Sequence, residues 1–259
     1  MLYLYGDVAP DGTTPSGDAG AFHQMRLTDA GPRGLSEFAA TLREAGFAPE
    51  GRYDADVSLT RDLLDDYAVL ILGSNQHRFG DAEREAVEAW VSDGGGLLAW
   101  SDSAFGGDYR EVGVCNPAGS RSDNDLTTAF GLRFLRDSGA GVYRVREYAE
   151  DHYLNAGDAD GGVVFLAEGA SAIRVSEPAR VLAPFQAGGL DGRLELCEAD
   201  APVRPERDAA LAVAEVGDGR AVGTFDRNTF WNGGAGTDIT EADNREYARR
   251  LVTWAAGAE

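Results

Sequence analysis

The stretch from Asp66 to Asn75 constrains this chain most. It reads DYAVLILGSN, an unbroken apolar run closed by turn-forming residues. A strand with one wet face alternates apolar and polar residues, so a run without alternation is what a strand buried on both faces requires. Asp81 follows, a residue type suited to cap a helix, and Ala82, Ala86, Val87, Trp90 and Val91 then recur on one side of a helical repeat. Gly94–Gly96 ends that helix, and GLLAWSD opens a second unbroken apolar run. A buried strand, an amphipathic helix and another buried strand make a parallel unit with a right-handed crossover.

The flanking sequence extends the pattern. Leu2–Tyr5 is a short apolar strand stopped by Gly6-Asp7, and residues 6–31 form a long loop rich in Gly, Pro, Thr and Asp. Leu35, Phe38, Ala39, Leu42 and Ala45 mark one face of a helix ended by Gly46, and Arg52–Val57 is a second candidate strand. Asn124–Phe130 reads as a short helix. Val142–Tyr148, Val163–Ala167, Ala172–Val175 and Val181–Pro184 read as short peripheral antiparallel strands. Leu211–Val216 and Ala221–Phe225 form a hairpin around Asp218-Gly219, and Asn244–Ala256 closes the chain as a helix with Tyr247, Leu251, Trp254 and Ala255 inward. With no repeat or linker, the expectation is one domain over residues 1–259. Its fold class is α/β, a flavodoxin-like, mostly parallel sheet of five or six strands flanked by helices, with an antiparallel extension.

Charge excludes whole classes of partner. The chain carries 44 acidic and 23 basic residues, a net charge of −21, and every basic residue is Arg. Such a surface repels nucleic acid and anionic membranes. Either a high-GC coding bias or adaptation to a salty cytoplasm produces this balance. No apolar run approaches the roughly 20 residues of a membrane span. The N-terminus has no basic region and turns polar within a few residues, so the expected location is cytoplasmic. Cys115 and Cys197 lie far apart, which rules out a disulfide scaffold or a zinc ribbon.

Open parallel sheets bind ligands beyond the carboxyl ends of their strands. That rim carries Asp7 with His23 and Gln24 after the first strand, then Ser74, Asn75, Gln76 and His77 after the third. Ser101, Asp102, Ser103 and Asp108 follow the fourth, and Asp226, Arg227, Asn228 and Asn232 the late hairpin strand. Loops are polar in any case, since Asp, Asn and Ser cap helices and make turns. Trp100, Phe105, Tyr109, Phe230 and Trp231 flank the same ends. Aromatic faces beside carboxylates and amides suit sugars, whose C–H faces stack while their hydroxyls hydrogen-bond. Phe105 and Trp231, set among glycines, are the candidates for exposure, whereas Trp100 suits the core.

The succession DYAVLILGSNQHRFGDAEREAVEAWVSDGGGLLAWSDSAFGG, with NDLTTAFGLRF and GDGRAVGTFDRNTFWN followed by DNREYARRLVTWAAG, resembles the class I glutamine amidotransferase-like superfamily. It is most similar to the non-amidotransferase branch, the ThuA-like proteins and the related GldG and intraflagellar-transport type domains. The resemblance implies that fold and a saccharide-linked function. The departures are as informative. The active enzymes carry a nucleophilic Cys in G-x-C-x-G, where this chain has AWSDSAFGG with Asp102 or Ser103 in that place. Their closing strand presents His and then Glu, where this chain has Asp226 and Arg227. Without thiolate and imidazole, glutamine hydrolysis has neither nucleophile nor base.

Several chemistries stay open at the rim. Ser103 can be a nucleophile or a turn hydroxyl, and its surroundings are not G-x-S-x-G. Asp102 and Asp226, if they face one cleft, can split into acid and base. With His77, His23 or Asp7 they can instead hold a divalent cation. Arg227 beside Asp102 would neutralise the pair and leave a binding surface. The sequence thus supports catalytic candidates Asp102, Ser103 and Asp226 and ligand-binding candidates Asp7, His23, Gln76, His77, Phe105, Arg227, Asn228 and Trp231. No dedicated metal site is assigned, although a cation cofactor and a homo-oligomer are both compatible with the sequence. The expected partner is a small molecule or saccharide, and the alternative is a non-catalytic interaction module of the GldG type. His152 and the acidic loop 156–162 read as a turn, since the calcium-loop spacing is not met. Glu83, Glu85 and Glu88 read as a solvated helix face.

Overall fold

The structure is a computed structural model that describes residues 1–6, 25–73, 75, 77–100, 118–135, 137–157, 162–168, 172–185, 190–196, 204, 206–233 and 237–259. The first half alternates strands and helices: β1 (Leu2–Tyr5), α1 (Ser36–Glu44), β2 (Glu50–Tyr53), α2 (Arg61–Leu64), β3 (Val69–Leu72), α3 (Asp81–Ser92), β4 (Gly96–Trp100) and α4 (Ala118–Thr127). A run of strands follows: β5 (Leu132–Phe134), β6 (Asp137–Val145), β7 (Phe165–Glu168), β8 (Ile173–Val175), β9 (Arg180–Pro184), β10 (Leu190–Leu196), β11 (Asp208–Val216) and β12 (Gly219–Thr224). The helix α5 (Asn244–Ala255) closes the chain.

Among the described residues the main sheet has nine strands in the order β2-β1-β3-β4-β12-β11-β8-β5, with β9 also paired to β11. The pairs from β2 through β12 are parallel, and those involving β11, β8, β9 and β5 are antiparallel. A second, three-stranded antiparallel sheet has the order β10-β6-β7. This is the expected α/β architecture, a parallel region with an antiparallel extension, but the sheet has nine strands in place of five or six because β5, β8, β9 and β11 join it. The unbroken apolar runs do become its centre, since every residue of β3 and β4 is buried. Helix α1 packs against α5, and α2 against α3. Trp100 is wholly buried, with Phe38 edge-on at 5.2 Å and Phe230 at 4.6 Å between ring centroids. Burying each such ring contributes roughly 1.5–3 kcal/mol.

Several boundaries differ from the sequence expectation for local physical reasons. The second strand stops at Tyr53 because Asp54–Asp56 coil into a 3-10 turn. Helix α2 was not expected; Thr60 caps it, accepting from the Leu63 N–H at 3.3 Å. Asp81 is the first helical residue of α3 and Gly80 the cap. Glu83 is no solvated side chain: it accepts the backbone N–H groups of Gly80 (3.0 Å) and Leu59 (3.1 Å), closing the helix start and tying it to the segment before α2. The helix read as Asn124–Phe130 begins at Ala118 and ends at Thr127, with a 3-10 turn over Thr128–Phe130.

The late hairpin turns one residue earlier than Asp218-Gly219. Val216 pairs with Gly219, leaving Gly217-Asp218 as the loop, with Gly217 at φ +61°. Gly219 answers a different need. A Cβ there would stand 1.8 Å from the Val91 carbonyl oxygen, so only glycine lets the hairpin seat against the end of α3.

Candidate functional site

Because β1, β3, β4 and β12 are parallel, all four end on one edge of the sheet. Beyond those ends the chain turns polar while staying buried. Asn75, Ser122, Asp123, Thr224, Asp226 and Thr229 are wholly buried, and Asp54, Arg227 and Asn228 nearly so. Buried polar groups are costly unless bonded, so the bonds of each one matter.

The chain leaving β3 is pinned from two sides. The Asn75 backbone N–H donates to Asp123 Oδ1 at 3.2 Å, and the His77 N–H to Asp54 Oδ2 at 2.9 Å. The Ser122 hydroxyl donates to the His77 carbonyl. One helical turn on, Asp125 takes the Arg78 guanidinium through two bonds of 2.6 and 2.7 Å and the Phe79 N–H at 3.1 Å. The main chain at Asn75, His77 and Phe79 is thereby fixed on α4 and on the turn after β2. The Asn75 side chain is the exception. Its amide oxygen and nitrogen are buried and have no hydrogen-bond partner among the described residues. His77 is partly exposed, with Nε2 3.6 Å from the Glu83 carboxylate and its ring edge-on to Phe79.

Across β4, the chain leaving β12 makes its own polar turn. Asp226 Oδ1 accepts the Asn228 N–H at 3.0 Å, an Asx-type turn that points the chain into a short 3-10 helix, Asn228–Phe230. The Thr229 hydroxyl donates to the Leu166 carbonyl at 2.9 Å, which ties this turn to β7. Beneath it the Tyr247 hydroxyl donates to Thr224 Oγ1 at 2.8 Å. Burial pushes that phenol well above the usual tyrosine range, and the charge of Asp226 adds to the shift. With β3 and β12 on either side of β4, the strands that lead into the two polar turns are two strand spacings, about 10 Å, apart.

The structure therefore places His77 on one polar turn and Asp226, Arg227 and Asn228 on the other along the same edge, with differences from the expected surface. Arg227 is 1% exposed, a buried guanidinium and not a rim cation. Trp231 is not exposed; it is buried under the Arg33 guanidinium, which sits 5.5 Å above its ring. Phe230 and Trp100 are core. Asp7, His23, Gln76, Asp102, Ser103 and Phe105 lie outside the described residues, and with them the Asp102–Asp226 pair and the Arg227–Asp102 contact. Among the described residues no cluster of three or more His, Cys, Asp or Glu could hold a metal ion. No helix among them is long and apolar enough to cross a membrane.

Sequence reasoning missed Asp54, Ser122 and Asp123. They belong to a turn and a helix remote in sequence from β3, so only their buried carboxylates and hydroxyl, seen in place, reveal them. Asn232 sat on the expected rim and proves to be a fastener. Its Nδ2 donates to the Asp29 and Gly31 carbonyls, both at 2.8 Å, and its Oδ1 accepts the Glu37 N–H at 2.8 Å in the first turn of α1. His152 lies at the opposite edge, in a cleft of about 850 Å³ lined also by Arg146, Tyr148 and Tyr153. Its ring meets Trp254, whose carbonyl binds Arg220 beside the start of β4.

Residues 28–252 match the family described as "Domain of unknown function (DUF4350)". No curated protein matches the sequence. Among solved structures, the fold is similar to the mmIFT52 N-terminal domain, with a TM-score of 0.64 and 14% identity over 99% of this chain and 97% of that one. Cytoplasmic Protein STM3548 from Salmonella typhimurium gives 0.54 and 14% over 84% of each chain. A ThuA-like protein from Bacteroides uniformis gives 0.50 and 14% over 98% and 89%. At such identities the likeness is one of fold, and the fold is the amidotransferase-like one that the sequence resembles.

Proposed function

The chain belongs to the DUF4350 family, and from that premise we propose that the carboxyl edge of its parallel sheet binds a small polyhydroxylated ligand, a saccharide, and does not hydrolyse glutamine. One observation supports this above the rest: the Asn75 side chain, wholly buried at a strand end, with neither amide atom bonded among the described residues. Each unmade buried hydrogen bond costs about 1–3 kcal/mol. A fold that keeps such a group at its ligand-binding edge keeps it for something that arrives. The amide offers one acceptor oxygen and two donor hydrogens. A hydroxyl both donates and accepts, so two neighbouring hydroxyls on a sugar ring satisfy both ends of the amide at once.

The buried carboxylates and amides nearby suit the same ligand. Asp123 and Asp226 each accept a backbone N–H, which orients the carboxylate. Glutaminase chemistry has no support in the residues, since the stretch AWSDSAFGG lacks the nucleophilic Cys. A cytoplasmic setting belongs with this proposal.

Thermal melting with a panel of neutral mono- and disaccharides, on the natural chain and on Asn75→Leu, tests the reading. A melting shift of several degrees with at least one sugar, absent in the variant, is expected. No shift with any sugar would overturn it and leave the interaction-module alternative, and ammonia released from glutamine would contradict it separately.

A further inference from the structure

The segment 25–35 is strapped to the chain that leaves β12. Besides the Asn232 side-chain bonds, the Asn232 N–H donates to the Gly34 carbonyl at 2.9 Å and the Gly233 N–H to the Pro32 carbonyl at 2.8 Å. The segment also closes on itself, the Leu35 and Asp29 N–H groups both donating to the Arg26 carbonyl, at 3.1 and 3.0 Å. This small rigid loop carries two arginines. The Arg26 guanidinium lies 5.5 Å over the ring of Tyr5, the last residue of β1, and the Arg33 guanidinium 5.5 Å over the ring of Trp231, just beyond β12. Tyr53 extends the aromatic floor, 6.1 Å from Tyr5.

Neither arginine makes an ion pair among the described residues, and Arg26 Nε is buried with no hydrogen-bond partner. Carboxylates are abundant in this chain, 44 against 23 arginines. Several other arginines are taken by them at short range, among them Arg61 at 2.6 Å, Arg78 at 2.6 Å and Arg180 at 2.7 Å, whereas Arg43, Arg144 and Arg146 share the unpaired state of these two among the described residues, without a ring beneath them. A guanidinium stacked on a ring is held by its face and keeps its edge donors, a fork matched to carboxylate or phosphate. A neutral sugar would not need that fork. An anionic one would, because a chain of net charge −21 repels it everywhere else.

We propose that Arg26 and Arg33 receive an oxyanion carried by the ligand, so that the substrate class is an acidic sugar, a sugar carboxylate or sugar phosphate. The inference rests on the saccharide reading of the same edge. Its test is calorimetric titration with a hexose panel, the matching uronates and the matching 6-phosphates, at one fixed salt concentration. At least one uronate or phosphate is expected to bind about tenfold or more tighter than its neutral parent, and the arm that does so identifies carboxylate or phosphate. In the Arg26→Gln, Arg33→Gln double variant the advantage should vanish while the neutral sugar binds as before. Asn75→Leu should weaken both. Equal affinity of charged and neutral members for the natural chain would overturn this inference and leave the saccharide reading standing. A charge preference that survives in the double variant would overturn the assignment to these arginines. Binding of none of the compounds would overturn both readings together.

Discussion

The Asn75 backbone N–H donates to the Asp123 carboxylate over 3.2 Å, and this bond joins the chain leaving β3 to α4. It holds Asn75 through its main chain, so the side-chain amide is positioned without being used. Asn75→Leu, close in size and apolar, should keep the backbone bond and remove an unbonded buried amide. The variant is expected to be more stable than the natural chain by about 1 kcal/mol or more in urea unfolding. A loss of stability instead would mean that the amide has a structural partner.

Asn232 joins two ends of the fold that lie far apart in sequence. It bonds the Asp29 and Gly31 carbonyls and the Glu37 N–H, and so caps α1 from outside the helix. Asn232→Ala should cost about 2 kcal/mol, the price of a lost cap plus loop bonds. Asn232→Asp should keep the bond to Glu37 and lose those to the carbonyls, giving an intermediate midpoint in the same unfolding series.

The antiparallel extension is anchored by Asp208 at the start of β11. Its wholly buried carboxylate takes Arg174 of β8 at 2.9 and 3.0 Å and the Arg204 N–H at 2.7 Å. Removing one partner of a buried pair leaves the other uncompensated. Arg174→Met, which strands the wholly buried Asp208 carboxylate, should lose about 3 kcal/mol, and Asp208→Ala, which leaves a guanidinium that water can still reach, less. The two unfolding midpoints decide the order.

His152 makes stability depend on pH. Burial, with the Arg180 charge adding, lowers its pKa from the ordinary imidazole value. Its Nδ1 also accepts the Leu154 N–H at 3.2 Å, a bond that a proton on that nitrogen would break. Below about pH 6.5 the unfolded chain therefore binds more protons than the folded one. The His152 contribution is complete above that pH and declines as pH falls toward the folded-state value. Unfolding free energies of the natural chain and His152→Gln, measured from about pH 7.5 to 5, should diverge in slope only in that lower window.

The parallel core was legible because Val69–Leu72 and Gly96–Trp100 are apolar without interruption, a pattern that few other environments tolerate. The hairpin turn was read one residue late because Gly219 looked like a turn residue, whereas it is small for the sake of the Val91 carbonyl on α3. Trp231, set among glycines, read as exposed; its cover is Arg33, which reaches it only in the folded chain. Glu83 lay on the polar side of its helix, but the two backbone N–H groups it accepts belong to Gly80, just before that helix, and to Leu59, in the segment before α2. The edge itself followed from strand direction alone; His77, Asp226 and Asn228 follow strands that end there, while Arg227, expected as a rim cation, is buried. That Asn75 differs from its polar neighbours was not legible, because an unmade bond depends on where Asp123 and the rest of α4 stand.

The most direct test of the account is a ¹⁵N-correlated NMR titration of the natural chain with the saccharide and sugar-acid panel, following the side-chain amide of Asn75, assigned by its absence in Asn75→Leu. The account predicts that a bound sugar moves this resonance more than any other asparagine side chain, together with the backbone signals of His77 and Asn228. A sugar that binds while leaving Asn75 unmoved, with its shifts gathered instead around Tyr148 and His152 in the opposite cleft, would contradict it.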